Sequence, residues 1–576
     1  MVDATPGQLL TLPIAFPPGL NRTSTAAGVG SGSSGNWFDS HLIRWVQGRM
    51  RPIGGWELLD LAAFGSPVRA MHAWVDSAGL VRVAFLCETE LWVLEGPDVP
   101  GTGDVLRNIT PVPGITPPPK LKQGGYGNDK YGGHPPDKPG ETPPGNFPNI
   151  YGSGQRNLRE DYRSIGEIWR LANWGDHLIA MASSDGRLLR WIPGADPGGG
   201  VRNIAVPVPN APISNRTFVV TAERHVMLFA MGGKLNRFGW CSQEAIEDWD
   251  FASTLNTAGF YDIEPASRII DAVGAAYSLI FWTIDGSYVV SYRGLPYVYA
   301  YAYLGQQSAP LSGQAAVAYS GTVMWPASDG FWRFDGSQIQ YVACPILDWF
   351  QQGYDLVATR AHMAGWFNGT FSEIWWCFPR KPGFGEKVAA ENNTLIVYNV
   401  QEKWWSIGKL KRSCGIPGTH IGYPLMASYG DVPGGAGYVW RHEKGHYYPG
   451  ADSPELPWIR SAFINLDGGP TLVTTKQVLI DIDADLDAIS LQLFATKGRF
   501  DHAPEYTKGP KIAAQRATIA QRIANRNDGL HTQQGKIDYR ITGRDFAVKL
   551  QMIGSKPWTF GQGLITLAPR GRRGGA

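Results

Sequence analysis

The chain is poor in charge and in cysteine. Asp, Glu, Lys and Arg together make up 18% of its 576 residues, and the formal net charge is +2. So weak a field does not draw a whole molecule onto nucleic acid or anionic lipid. The one short basic cluster is "PRGRRGG", Pro569 to Gly575. The five cysteines (Cys87, Cys241, Cys344, Cys377 and Cys414) are scattered, odd in number and never spaced C-x-x-C. That argues against a disulfide framework and against a structural zinc knuckle. They read as buried small hydrophobes of a chain made in a reducing compartment. Long hydrophobic runs are missing too: no stretch approaches the roughly 18 apolar residues of a membrane span. The opening "MVDATPGQLLTLPIAFPPG" has neither the basic start nor the apolar core of a signal segment. The expectation is a chain without a membrane span, made in a cytoplasm.

What the chain does have is 71 Gly, 42 Pro and 22 Trp, with aromatic residues at 12%. Frequent turns and many large flat side chains favour an all-β protein of short strands. One pattern recurs: an apolar strand, a turn pair, a second strand carrying aromatics, then a loop. It is seen in "VRAMHAWVDSAGLVRVAFLCETELWVLEG", "WGDHLIAMASSDGRLLRWIPG" and "FVVTAERHVMLFAMGGKLNRFGW". "IIDAVGAAYSLIFWTIDGSYVVSYRG" and "AAVAYSGTVMWPASDGFWRFDG" repeat it, and two looser copies follow. The turn pairs are Asp185-Gly186, Gly232-Gly233, Asp285-Gly286, Asp329-Gly330 and Asn368-Gly369. Such pairs suit two-residue hairpins, in which both central residues need positive φ. Their spacing of roughly 40 to 50 residues is that of a four-stranded blade. The sequence predicts a β-propeller of six or seven blades.

Four regions follow. Residues 1–60 form an extended N-terminal interaction segment, residues 61–111 and 166–450 the propeller, and residues 112–165 a long Gly/Pro-rich loop. Residues 451–576 form a C-terminal β-domain with a short helix at about 511–526, where Ile512, Ile519 and Ile523 fall on one helical face. In "TKQVLIDIDADLDAISLQLFA", Val478, Ile480, Ile482 and Leu486 alternate with Asp481, Asp483 and Asp485. This begins like a calcium loop, but Leu486 stands where the sharp turn needs Gly and Gln492 where a bidentate Glu belongs. A strand with a solvated acidic outer face explains it better; the functional alternative is an acidic stripe lining something that must not stick, such as a DNA passage.

Two motifs name chemistry and fail on context. His442-Glu443-Lys444-Gly445-His446 spells H-E-x-x-H, which on a helix binds zinc with the glutamate as general base. Here its flanks, "GGAGYVW" and "YYPG", belong to strand and turn. Gly445 costs about 1 kcal/mol inside a helix, and Pro449 would break one a turn later. A hairpin tip at Lys444-Gly445 is expected, and His442, Glu443 and His446 are not assigned a metal. "GSGSSG", Gly30 to Gly35, matches G-x-G-x-x-G without the strand before or the helix after that phosphate binding requires, so it reads as a linker. Glu244, Glu247 and Asp248 cluster in "GWCSQEAIEDWDF" with no catalytic partner. No catalytic residue, metal or cofactor is assigned. The strand tryptophans are expected to pack between blades; a sugar-stacking alternative would need exposed ones, such as Trp404 and Trp405.

The N-terminal block "LPIAFPPGLNRTST … NWFDSHLIRWVQGRMRPIGGW" resembles the tail nozzle (tail tubular) proteins of short-tailed bacteriophages. The residues that carry the likeness are Pro18, Gly19, Trp37, Arg44, Gly48, Arg51, Pro52, Gly54, Gly55 and Trp56. "LANWGDHLIAMASSDGRLLRWIPG", "RFGWCSQEAIEDWDFA" and "DYRITGRDFAVKLQ" are similar as well, so the resemblance covers most of the chain. The inserted "GVGSGSSG" and a Pro-heavy loop with few Tyr-Gly repeats depart from it. The resemblance implies a non-enzymatic virion protein, made in the host cytoplasm and housed in the tail. It implies a homohexameric ring below the portal and its adaptor ring, with the propeller as peripheral platform and the other β regions forming part of a tube. Genomic DNA would pass through without specific binding. Tail fibres or spikes and a tip plug or needle would be further partners. The alternative is a carbohydrate-binding or carbohydrate-active propeller of the tail.

Overall fold

The computed structural model describes residues 9–23, 35–61, 63–96, 105–117, 166–194, 203–265, 267–380, 391–430, 437–449, 455–465, 472–484, 489–496, 513–518, 533–538 and 540–570. Within them the alternating runs form antiparallel strands, and seven sheets hold four strands each. Blade 1 runs from Val68–Val75 to Val105–Asn108, blade 2 from Trp169–Trp174 to Val206–Pro207, and blade 3 from Thr217–Val220 to Gly259–Asp262. Blade 4 runs from Ile269–Ala275 to Val298–Gly305, blade 5 from Val317–Tyr319 to Ile339–Val342, and blade 6 from Ala364–Asn368 to Trp405–Lys409. Blade 7 is built from Cys414–Ile416, Leu425–Tyr429 and Gly437–His442, and its outer strand is Trp56–Leu58. The first strands touch in cyclic order, blade 7 against blade 1 included. The fold is a closed β-propeller with seven blades.

Ring closure corrects the expected boundaries. Trp56–Leu58 lies in the segment assigned to an N-terminal extension, yet it pairs with blade 7 in the register His442↔Trp56, Arg441↔Glu57 and Trp440↔Leu58. A strand supplied from the far end of the sequence shuts the ring without leaving two open edges.

The rest of residues 1–60 is not a free extension either. Leu10–Ile14 and Arg49–Pro52 both pair with Trp558–Arg570, which also pairs with Leu472–Ala484. In a second sheet Trp37–His41 pairs with Trp458–Ser461, and Asp545–Met552 and Ile489–Thr496 continue it. The two sheets share one core, in which Trp37 meets Phe560 at 6.2 Å. Both ends of the chain thus build one two-sheet body. That core runs on without a break into blades 5 and 6, through contacts such as Trp45 with Trp404 at 5.3 Å. The body also covers the outer edge of blade 6: Leu20 N donates to Trp405 O and Leu42 N to Ile407 O.

The expected helix near 511–526 is corrected. Ala513–Thr518 is a strand, paired with Ile489–Thr496, and the rest of that segment, with Ile512, Ile519 and Ile523, lies outside the described residues. Cross-strand pairing outweighs the modest helix preference of "AAQRAT". Two short helices instead join blades 5 and 6, Leu347–Gly353 and Leu356–His362, the second capped by Asp355, which accepts from Val357 N and Ala358 N. The turn pairs lie between strands or overlap a strand end, but positive φ at both residues holds only for Gly232-Gly233, inside a longer connection. Tryptophans pack between blades as expected: Trp282 of blade 4 meets Trp325 of blade 5 at 4.9 Å. Four cysteines are buried and Cys344 is partly so; burial pushes the thiols of Cys241, Cys344 and Cys414 up to about 12. Among the described residues no helix is long and apolar enough to cross a membrane.

Candidate functional site

The H-E-x-x-H residues lie where blade 7 meets the two-sheet body, and they are not on a helix. His442 ends the third strand of blade 7, Glu443 and Gly445 have φ of 61° and 58°, and a turn follows. The expected hairpin tip is corrected in one respect: the strand beyond the turn is not its own return. Gly55 N donates to Gly445 O, Lys444 N to Gly55 O and Trp56 N to Tyr447 O, so the turn is held by the chain entering Trp56–Leu58. His442 is wholly buried, stacked on Trp56 at 5.2 Å and 19°, and its Nε2 accepts from Arg412 Nε at 2.9 Å. Burial first, then the charges of Arg412 and Arg44, hold its pKa well below 6.5. Among the described residues no three His, Cys, Asp or Glu side chains gather as metal ligands would.

Glu443 binds an arginine instead. Arg44, 1% exposed on the body strand Ile43–Val46, donates to Glu443 through Nη1 at 2.9 Å and Nη2 at 2.6 Å. It also donates to Glu373 through Nε at 2.9 Å and Nη2 at 2.8 Å. Glu373 begins the second strand of blade 6, so one guanidinium ties the body to two blades. Burial works against the Arg44 charge, but the two carboxylates outweigh it and its pKa is raised. Burial pushes Glu373 up, and Arg44 pulls it back. The planar fork of Arg suits two carboxylates in a way the point charge of Lys does not.

Four of the other residues that carry the resemblance, Arg51, Gly54, Gly55 and Trp56, meet at this joint. Gly54 and Gly55 admit the turn closely: a Cβ would stand 2.8 Å from Glu443 Cα at the first and 2.4 Å from Tyr447 O at the second. Trp56 is sandwiched by His442 and, edge-on, by Tyr448 at 5.2 Å, with Arg412 5.1 Å over its ring. Arg51 lies 5.3 Å over Phe371, the ring that Arg44 covers at 3.6 Å, and Pro52 is buried. Gly19, at φ 92°, presses against Trp404, where a Cβ would come within 2.9 Å. Gln47 and Gly48, at φ 52° and 74°, make the two-residue turn between Ile43–Val46 and Arg49–Pro52. Trp37 packs in the body core, and Pro18 is exposed.

The remaining nominated residues do not converge. Asp483 is exposed and Asp481 half-buried, opposite buried Val478, Ile480 and Ile482 on Leu472–Ala484; Asp485 and Leu486 lie outside the described residues. Trp404 and Trp405, named for sugar stacking, are each 2% exposed and have no face to offer a sugar. Glu244 and Glu247 are paired with Arg224 and Arg190, and Asp248 Oδ1 accepts from Asn256 at 2.8 Å. Gly30 to Ser34 and residues 118–165 lie outside the described residues.

A set of residues that motif reading missed closes the propeller axis. Arg69, Arg170, Arg216 and Arg268 stand at or next to the start of the first strands of blades 1, 2, 3 and 4. Arg170 reaches from blade 2 to Asp271 of blade 4 at 2.6 Å, and Arg69 binds Glu391 at 2.7 Å and Glu88 at 2.7 Å. Arg216 donates to Ile270 O and Gly166 O, and burial lowers its pKa to about 10. From blade 5, Gln314 Nε2 crosses to Arg69 O at 2.8 Å and Trp169 O at 3.1 Å. The recurrence in "VRAM", "WRLA", "NRTF" and "SRII" was the available signal.

No family model and no curated protein sequence matches the chain. Among solved structures it is similar to Hsv2 of Kluyvelomyces marxianus, at 7% identity and a TM-score of 0.27, over 45% of this chain and 72% of that one. It is also similar to the β-propeller domain of Cps50 (Swd1) of Myceliophteria thermophila, at 11% identity and a TM-score of 0.24, over 47% of this chain and 95% of that one. The propeller assignment rests on the seven sheets of the chain itself.

Proposed function

We propose that the chain is a structural, non-enzymatic protein of a bacteriophage tail: the nozzle below the portal and adaptor ring, a conduit for genome ejection and a platform for fibres or spikes. The observation that carries this reading is the place of the residues that resemble that family. Arg44, Gly54, Gly55 and Trp56 are built into the joint between body and propeller, with the Arg44 guanidinium spent on Glu373 and Glu443 within the chain. A nozzle needs such a joint, because a ring-forming body has to hold a side platform rigidly while DNA passes. The motif that hinted at hydrolysis supplies part of that joint, His442 and Glu443. In this reading the conduit belongs to the body and not to the propeller axis, which Arg170 and Gln314 cross. The exposed Asp483 on the long strand Leu472–Ala484 suits a wall past which phosphates must slide, since cationic contacts would hold them. About six copies related by one repeated heterologous contact would close the ring.

The test is copy number. Quantitative mass spectrometry of sedimented phage particles, with this chain counted against the portal protein, is expected to give about six per particle. A count in larger multiples of three would replace the nozzle with a spike or fibre, and absence from particles would overturn a virion role.

A further inference from the structure

Away from the joint, a crevice opens between blades 3 and 4. Its walls come from the turn after Thr217–Val220, the turn after Ile269–Ala275, and the facing strands Ser287–Gly294 and Val298–Gly305. The volume open to the centre of a water-sized group is about 40 Å³, room for a small ligand group. Three tyrosines line it: Tyr277, Tyr292 and Tyr299. Tyr277 is 86% exposed and forms the outer lip; Tyr299 is 3% exposed and forms the back, edge-on to Tyr292 at 5.5 Å.

The polar groups behind the tyrosines fix the electrostatics. Tyr299 Oη donates to Glu223 Oε2 at 3.3 Å and lies 3.1 Å from His225 Nδ1 and 2.9 Å from Thr221 Oγ1. His225 is wholly buried, and burial lowers its pKa to about 4, so it carries no charge at neutral pH. The one basic side chain on this turn, Arg224, is turned away: its Nε donates to Glu244 at 3.1 Å and its guanidinium lies 4.4 Å over Trp174. The crevice therefore has one carboxylate, three ring systems and no cation. Glu223 lines it with Oε2 already oriented by Tyr299, while Oε1 accepts no bond among the described residues.

We propose that this crevice binds an alkylammonium group, held by the Glu223 carboxylate and the faces of Tyr277 and Tyr292. A carboxylate at the back repels anions, so phosphates and carboxylates are excluded. Aromatic faces attract a cation through the ring quadrupole, and the small volume admits an ammonium with its first methylenes. The group could belong to a lysine side chain of a protein partner or to a free amine; the chemistry is the same.

The experiment is saturation-transfer NMR on the full chain with four probes: n-butylammonium, Nα-acetyl-lysine N-methylamide, its Nε-acetylated neutral counterpart, and 1-butanol. Saturation of the two ammonium probes and not of the neutral pair is expected, and Y277A and E223Q should each weaken binding about threefold to tenfold. Tyr277 is too exposed for its loss to unfold the blade. Tighter binding of the lysine derivative than of butylammonium identifies a protein partner as the source; equal binding identifies a free amine. The proposal is overturned if the neutral probes bind as well as the charged ones, if both variants bind like the parent, or if no ammonium probe binds.

Discussion

His41 and His442 sit fully buried and keep their rings neutral for the same physical reason: charging either would place a cation where water does not reach. Burial lowers the His41 pKa from 6.5 to about 4, while its Nδ1 accepts from Lys409 N and its Nε2 faces Glu455 O. Below pH 6.5 the unfolded chain binds protons that the folded chain refuses, so stability is intact above that value and falls as pH drops toward the folded pKa. The slope is about 1.4 kcal/mol per pH unit for each histidine. Urea midpoints measured at pH 7.5 and pH 5 should therefore fall with acidity in a range above that of ordinary carboxylates, and H41Q should flatten the decline. A midpoint that does not move across that range would contradict the assignment. At this scale the sequence was informative that His442, Glu443 and His446 do not share a helix, because Gly445, Pro449 and the flanking strand patterns are local. Their actual partners were hidden: Arg44 and Trp56 lie far off in the sequence, and a motif carries no record of who folds against it. The same holds for Trp404 and Trp405, whose burial depends on Gly19 and Trp45.

Among the elements, Trp56–Leu58 has the largest effect for its length. It is three residues long, and without it blade 7 would present a bare edge beside blade 1. Trp56 supplies the packing, against His442 and Tyr448. W56A should destabilise the protein by about 3–5 kcal/mol, the range for deleting a buried large aromatic. Hydrogen exchange should show where: amides of Leu425–Tyr429 and Gly437–His442 should lose protection while those of blade 3, across the ring, keep theirs. Uniform loss across all blades would mean that this strand does not act as a local latch. The blades were legible because each is a contiguous run of alternating strands with turn residues between them. Their number was not, since the seventh is completed from residues that local pattern assigns elsewhere. The helix expected near 511–526 failed because helix preference is worth only about a few tenths of a kcal/mol per residue, less than the pairing offered by Ile489–Thr496. The two α-helices among the described residues are seven residues each, too short for a periodic signal; the cap at Asp355 was the one available sign.

For the molecule as a whole, the continuous core and the Arg44 bridge make propeller and body one cooperative unit. R44M leaves Glu373 and Glu443 facing each other in a buried site, and breaking such a group by removing one partner costs about 3–5 kcal/mol. Calorimetry of the parent should show one transition and R44M two, body and propeller melting apart, with R44M/E373Q recovering part of the loss. A single transition in R44M, shifted by under about 1 kcal/mol, would show that the apolar core alone joins the two. The closures also set a timetable for synthesis. Trp56–Leu58 leaves the ribosome early, but its partner strand Gly437–His442 follows only after six blades have been translated, and Leu10–Ile14 waits longer still for Trp558–Arg570. At about 5–20 residues per second the first strand stands idle for roughly 20–80 s. A chain that stops short of His442 can close neither the ring nor the body, so abandoned translation products carry open strand edges.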